Sequence, residues 1–138
     1  MLEFSVNDFL MITEVKGDPG TWTKKQSGLG CIYKFKIDKI NAKVTASIED
    51  YDSGAWVLII ESNETLVDIP GEFFVTLAEI IQDFLQNQKP SFAHIVFFGE
   101  QNLDLSQVSL LKRKIKESKY SVKIDRVPNA FSISATKI

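Results

Sequence analysis

Apolar residues recur at three- and four-residue intervals between Glu72 and Gln88, at Phe73, Phe74, Leu77, Ala78, Ile80, Ile81, Phe84 and Leu85. That spacing stacks side chains on one side of a helix, and the arc is wide enough to require good cover. Pro90 lacks a backbone N–H and forces Lys89 away from helical dihedrals, so the helix is expected to end by about Gln88. Phe92-Ala-His-Ile-Val-Phe-Phe98 follows, rich in β-formers and apolar at nearly every position. Such a run predicts a strand covered on both faces, or nearly so.

The rest of the chain is laid around this helix and strand. Leu2, Phe4 and Val6 alternate with polar residues; from Phe9 to Ile12 either the strand resumes at Leu10, the reading preferred, or Asn7 or Asp8 caps a short helix ending near Gly17. Gly17-Asp-Pro-Gly20 is a turn cluster, and the polar, glycine-dotted region from there through Gly30 reads as the longest loop. Cys31, Tyr33, Phe35 and Ile37 then share one face of a strand, with lysines on the other. Ala42, Val44, Ala46 and Ile48 repeat the pattern after a turn at Asp38 to Asn41. Asp50 to Gly54 is turn chemistry, Ala55 to Ile60 the next strand, and Thr65 to Ile69 a short one before Pro70-Gly71 opens the helix.

Beyond Gly99, Asp104 is a plausible N-cap with Gln107 three residues on. Leu105, Val108, Leu111 and Ile115 mark a second, narrower helix over 105–118. Tyr120, Val122 and Ile124, then Phe131, Ile133 and Ala135, alternate on either side of a turn at Val127 to Ala130. The whole is expected to be a single α+β domain over 1–138. Its sheet is mainly antiparallel, with an N-terminal meander and a C-terminal hairpin, and two helices pack on one face.

Charge changes the picture most. The chain of 138 residues carries a formal net charge of −2, yet no lysine or arginine occurs from Val44 to Gln88, where nine acids lie. From Lys112 to Arg126 seven cations face two acids. Either the two blocks meet and neutralise each other, or an acidic surface stands apart and steers a basic partner. The acidic candidates for partner binding are Glu49, Asp50, Asp52, Glu61, Glu64 and Asp68. The basic candidates, for phosphate or nucleic acid, are Lys112, Arg113, Lys116, Lys119 and Arg126.

Catalytic chemistry is thin. The single histidine, His94, sits inside the apolar strand, and the single cysteine, Cys31, opens another on its inner face. Zinc sites and nucleophilic triads need more such residues than the chain has, and no cofactor or metal is expected. Asp50-x-Asp52-x-Gly54 is too short for an EF-hand loop and reads as a structural turn. Gln26-Ser-Gly-Leu-Gly30 resembles part of the pyrophosphate loop of acetyltransferases. It is one residue short of that family's pattern, and a strand follows it instead of a helix.

No apolar run is long enough for a membrane span. The acidic N-terminus lacks the basic start of a signal peptide, and one unpaired cysteine fits a reducing cytoplasm. These features favour a small cytoplasmic protein–protein interaction module over an enzyme. It would be a bacterial or phage accessory, inhibitor or immunity-type protein binding a basic partner through its acidic surface. The first alternative is a nucleic-acid-binding accessory protein using the basic helix. The second is a degenerate acyltransferase-like enzyme.

Overall fold

The computed structural model describes residues 13–16, 22–27, 30–50, 52–62, 71–98, 105–127 and 130–138. Its elements are β1 (Thr13–Lys16), β2 (Trp22–Ser27), β3 (Gly30–Ile37), β4 (Ile40–Asp50), β5 (Ala55–Ser62), α1 (Gly71–Gln88), β6 (Phe92–Phe98), α2 (Leu105–Glu117), β7 (Tyr120–Val127) and β8 (Ala130–Lys137). The strands form one eight-stranded sheet in the order β1-β2-β3-β4-β5-β6-β8-β7. Every neighbouring pair is antiparallel except β5 and β6, which run parallel from Ala55 opposite Phe92 to Ile60 opposite Phe97. The fold is α+β, as the pattern of elements requires. The expected strands at Leu2 to Ile12 and Thr65 to Ile69, and the Asp104 cap, lie outside the described residues.

Connectivity explains why both helices share a face. α1 joins the parallel neighbours β5 and β6, and such a crossover takes the right-handed route. β7 is also parallel to β6, since both are antiparallel to β8 between them. The two crossovers step the same way along the sheet, so both helices land on one side. There Phe73 of α1 packs tilted against Phe35 at 5.2 Å and Phe84 edge-to-face against Trp56 at 5.3 Å, centroid to centroid. α2 lies beside α1 and reaches β7, burying Val108, Leu111 and Ile115. Each large apolar side chain taken out of water there contributes about 1.5–3 kcal/mol.

Two expectations need correction. The stretch read as a loop through Gly30 contains β2, paired to β1 and β3. Its inward positions are Trp22 and Lys24, and a lysine facing the core hides the alternation that marks a strand. The second concerns β6. Ala93, Ile95 and Phe97 are fully buried beneath the helices, whereas His94 and Val96, on the opposite face, are half-buried. Among the described residues no helix covers that face. β6 is shielded there by its neighbours in the middle of a broad sheet, which suffices for an apolar sequence.

Candidate functional site

The β4–β5 turn gathers three of the acidic candidates, Glu49, Asp50 and Asp52, all exposed. A register shift between Ile48 and Asp50 leaves Glu49 as an extra residue opposite β5, a bulge that re-aims its side chain. Asp50 folds the turn itself. Its Oδ1 accepts from the Asp52 amide at 3.1 Å and its Oδ2 from the Ser53 hydroxyl at 3.0 Å. The Gly54 amide donates to the Asp50 carbonyl at 3.0 Å, and Gly54 takes a φ of 72° that a side chain would resist. The turn is then tied to the start of β6. The Ser91 amide donates to the Gly54 carbonyl at 3.1 Å and the Ser91 hydroxyl to the Ser53 carbonyl. Glu49 and Asp52 are thus carried on a backbone held at both ends.

Glu61 stands at the far end of β5, roughly 20 Å away at about 3.3 Å per residue. It is exposed, and its Oε1 lies 3.8 Å from Lys43 Nζ on β4. Between the turn and Glu61, the outward residues of β5 are Val57 and Ile59, both half-buried and apolar. The acidic positions form two separate ends joined by an apolar stretch. Glu64 and Asp68 lie outside the described residues.

Three of the basic candidates, Lys112, Arg113 and Lys116, sit on α2. Lys112, Arg113 and Lys116 line one open depression of about 460 Å³ together with Ser109 and Glu117. Among the described residues none of these three cations, nor Lys119, forms an ion pair. Lys114 pairs with Glu117 at 3.4 Å, one turn along its own helix. Among the described residues the acidic and basic blocks do not pair through these side chains. Lys119 follows the helix at a φ of 71°. Arg126 lies in β7 opposite Phe131.

A polar cluster that the sequence pattern did not reveal lies partly buried between sheet and helix. Lys24 Nζ donates to Asp83 Oδ2 at 3.0 Å, the Tyr33 hydroxyl donates to the same oxygen at 2.8 Å, and Asn87 Nδ2 donates to Oδ1 at 2.9 Å. Lys24 also rides 5.3 Å from the centre of the Tyr33 ring. Cys31 adjoins the cluster, and burial pushes its thiol above the ordinary range, against the opposing pull of the Lys24 ammonium. Burial, then the neighbouring Cys31 and Asp83, drive the Tyr33 hydroxyl well up from its usual value near 10. Neither group offers a thiolate or phenolate at neutral pH, so the cluster works as a clamp between β2, β3 and α1. A lysine two residues after a tryptophan, in a segment without other apolar residues, was the only sign of it.

His94 lies on the face of the sheet opposite the helices, its ring 6.4 Å from that of Phe92. Among the described residues no three His, Cys, Asp or Glu side chains are grouped to hold a metal. Gln26 to Gly30 falls at the β2–β3 connection, three strands away from the α1 crossover. Gly30 has a structural reason of its own, because a Cβ there would run into the Ala46 carbonyl oxygen. No helix described is long and apolar enough to cross a membrane. No protein-family model matches the chain, and no curated protein matches it in sequence.

Proposed function

We propose that the chain is a protein–protein interaction module that engages a basic partner through its acidic β4–β5 turn. The observation that carries this reading is the anchoring of the turn. Asp50 and Ser91 hold its backbone, and Glu49 and Asp52 project from it into solvent. A pre-ordered acidic knob loses little freedom on docking, and its field speeds encounter with a cationic surface. The partner is a basic protein, and the role is that of an inhibitor, immunity or other accessory factor of bacterial or phage type. Buried, unpaired Cys31 is consistent with a cytoplasmic setting.

The test reverses Glu49, Asp52 and Glu61 to lysine, and separately Lys112, Lys116 and Lys119 to glutamate. A partner captured from host lysate by the wild-type chain should associate at least tenfold more slowly with the acidic-reversed variant. Its association should also lose most of its salt dependence, while the α2 variant associates normally. Unchanged association with the acidic-reversed variant sinks the reading.

A second reading, phosphate-backbone binding by α2, draws on the convergence of Lys112, Arg113 and Lys116 on one depression. Loss of partner or nucleic acid by the α2 variant alone would favour it. The acyl-transfer alternative has one feature in its support, the parallel pair β5 and β6 with α1 crossing between them. Ligands in sheets of parallel strands enter beyond such carboxyl ends. The described residues at the carboxyl end of β5 are Glu61, which faces Lys43 at 3.8 Å, and Ser62.

A further inference from the structure

The face of the sheet opposite the helices is basic on one flank. Lys34 and Lys36 point outward from β3 and Lys43 from β4, all exposed, and Lys34 stands directly opposite Lys43 in the ladder. Like charges placed in register across two strands destabilise the pair. A sheet built only to fold gains nothing from that arrangement, and thread-like anions with repeated charges are what it attracts. Among the described residues neither Lys34 nor Lys36 has an acidic partner, and Lys43 meets Glu61 only at 3.8 Å in solvent. Lys25 extends the flank onto β2, opposite Ile32, which is 37% exposed among these cations.

The centre of the same face is not charged. Thr45, Ile59 and Val96 follow Ile32 across the sheet in register, all half-buried, and the Phe92–His94 ring pair lies beyond them on β6. From Lys43 to His94 is about 13 Å along the strands and about 10 Å across them. A surface with lysines on one flank, then aliphatic side chains, and half-buried rings further along β6 offers separate places for a phosphate backbone and for bases. Flexible single strands use that pairing, because every base has a π-face to lay on an apolar or aromatic surface. An acidic polypeptide would use the lysines and leave the apolar centre without a role.

We infer that this sheet face, opposite the two helices, binds single-stranded nucleic acid, with the backbone along Lys25, Lys34, Lys36 and Lys43 and the bases turned toward Ile32 and the sheet centre. The lysines are on the opposite side of the sheet from α2 and at the far end of β4 and β5 from the acidic turn. Either this site or the partner-binding reading can fail alone.

The experiment measures fluorescence anisotropy of labelled dT12 and rU12 with the full chain at 50 and 200 mM salt. Wild type should bind at least one of them more weakly at the higher salt. Changing Lys34, Lys36 and Lys43 together to glutamate should lower affinity at least tenfold. It should also flatten the slope of log K against log salt by about 2, at roughly 0.7 per phosphate contact. The variant Lys112→Glu, Lys116→Glu, Lys119→Glu should stay within about twofold of wild type, as expected when no phosphate contact is removed. Ultraviolet crosslinking of dT12 to the wild-type chain provides a readout independent of any variant's folding, and its products should map to β3, β4 and β6. The inference is overturned if wild type binds neither oligonucleotide at 50 mM salt or if the sheet-face variant binds like wild type. Crosslinks on α2, or displacement by polyglutamate as readily as by unlabelled dT12, would also overturn it.

Discussion

Lys24 Nζ lies 3.0 Å from Asp83 Oδ2, joining the second strand of the sheet to the last turns of α1 across a gap of 59 residues in sequence. The lysine side chain is 8% exposed and the aspartate 25%. Taking two charges out of water costs several kcal/mol, and the contact repays it only because Tyr33 and Asn87 supply further donors to the carboxylate. The two ends of the pair are therefore not equivalent. Asp83 has three donors to lose, whereas Lys24 has one described acceptor.

Asp83→Ala should cost about 2–3 kcal/mol, below the full value for a deeply buried pair because the carboxylate is partly wet. Lys24→Met should cost about 1 kcal/mol or less, since Asp83 keeps its other donors and the methionine stem fills the same space. Urea melts of both single variants and the double variant provide the coupling. If Asp83→Ala melts like wild type, the clamp contributes nothing to stability.

Alkaline stability follows from Tyr33 and Tyr120, whose hydroxyls are both raised by burial. Tyr120 donates to the Pro90 carbonyl at 2.5 Å and pins β7 to the joint between α1 and β6. A raised folded-state pKa means that the folded chain holds its proton more tightly than the unfolded chain does. The stabilisation is complete below about pH 10 and declines above it, at most by about 1.4 kcal/mol per pH unit for Tyr33, with Tyr120 acting in the same direction. Urea midpoints should be level to about pH 8, fall gently beyond as the unfolded Cys31 thiol ionises and more steeply above about pH 10, and Tyr33→Phe should shallow the steeper part. A flat profile to pH 11 would contradict the burial of both hydroxyls.

Phe84 and Phe97 lie 1% and 0% exposed on the two elements most visible in the sequence. Truncating either to alanine should cost about 3–5 kcal/mol. In a domain with about 5–15 kcal/mol to lose, the variants should melt far below wild type or not fold. Nearly unchanged midpoints would mean that α1 and β6 are not the core.

Those two elements were legible because their burial is made of apolar side chains at a regular period, which a sequence displays directly. The β3–β4–β5 meander and the β7–β8 hairpin were legible for the same reason. β2 was not, since what it buries at Lys24 is a charge whose partner lies on α1. The parallel pairing of β5 and β6 was not foreseen either, because strand direction is set by where α1 delivers the chain. For the candidate site, the positions of Asp50 and Asp52 in a turn could be read from their spacing with Gly54. The anchoring of that turn by Ser91 is a contact between distant segments with no local signature. The lysines of the open sheet face were visible one by one, but only the register sets Lys34 against Lys43.

Lys119 tests the backbone rather than the charge. It leaves α2 at a φ of 71°, with its amide donating to the Lys116 carbonyl at 3.0 Å. A side chain in that left-handed region costs about 1–2 kcal/mol, and glycine removes the cost while adding freedom to the unfolded chain. Lys119→Gly should therefore gain up to about 1 kcal/mol, read as a higher melting temperature, even though it deletes a cation. A lower melting temperature would show that the lysine side chain itself stabilises the helix end.

The acidic turn separates structure from recognition within four residues. Asp50 accepts two hydrogen bonds that shape the turn, while Glu49 and Asp52 use no side-chain contact among the described residues. Asp50→Ala should cost about 1–2 kcal/mol and loosen the amides of Asp52 and Gly54, read by hydrogen exchange. Glu49→Gln with Asp52→Asn should stay within about 0.5 kcal/mol of wild type, as exposed charges do. Partner association should show the reverse order. The Glu49→Gln, Asp52→Asn variant should slow it strongly, because the field at the turn is removed while its shape remains. Asp50→Asn keeps one oxygen acceptor and should slow association less than that double variant. If instead Asp50→Asn alone abolishes association while Glu49→Gln with Asp52→Asn leaves it untouched, the turn acts through its conformation, and charge steering is not the mechanism.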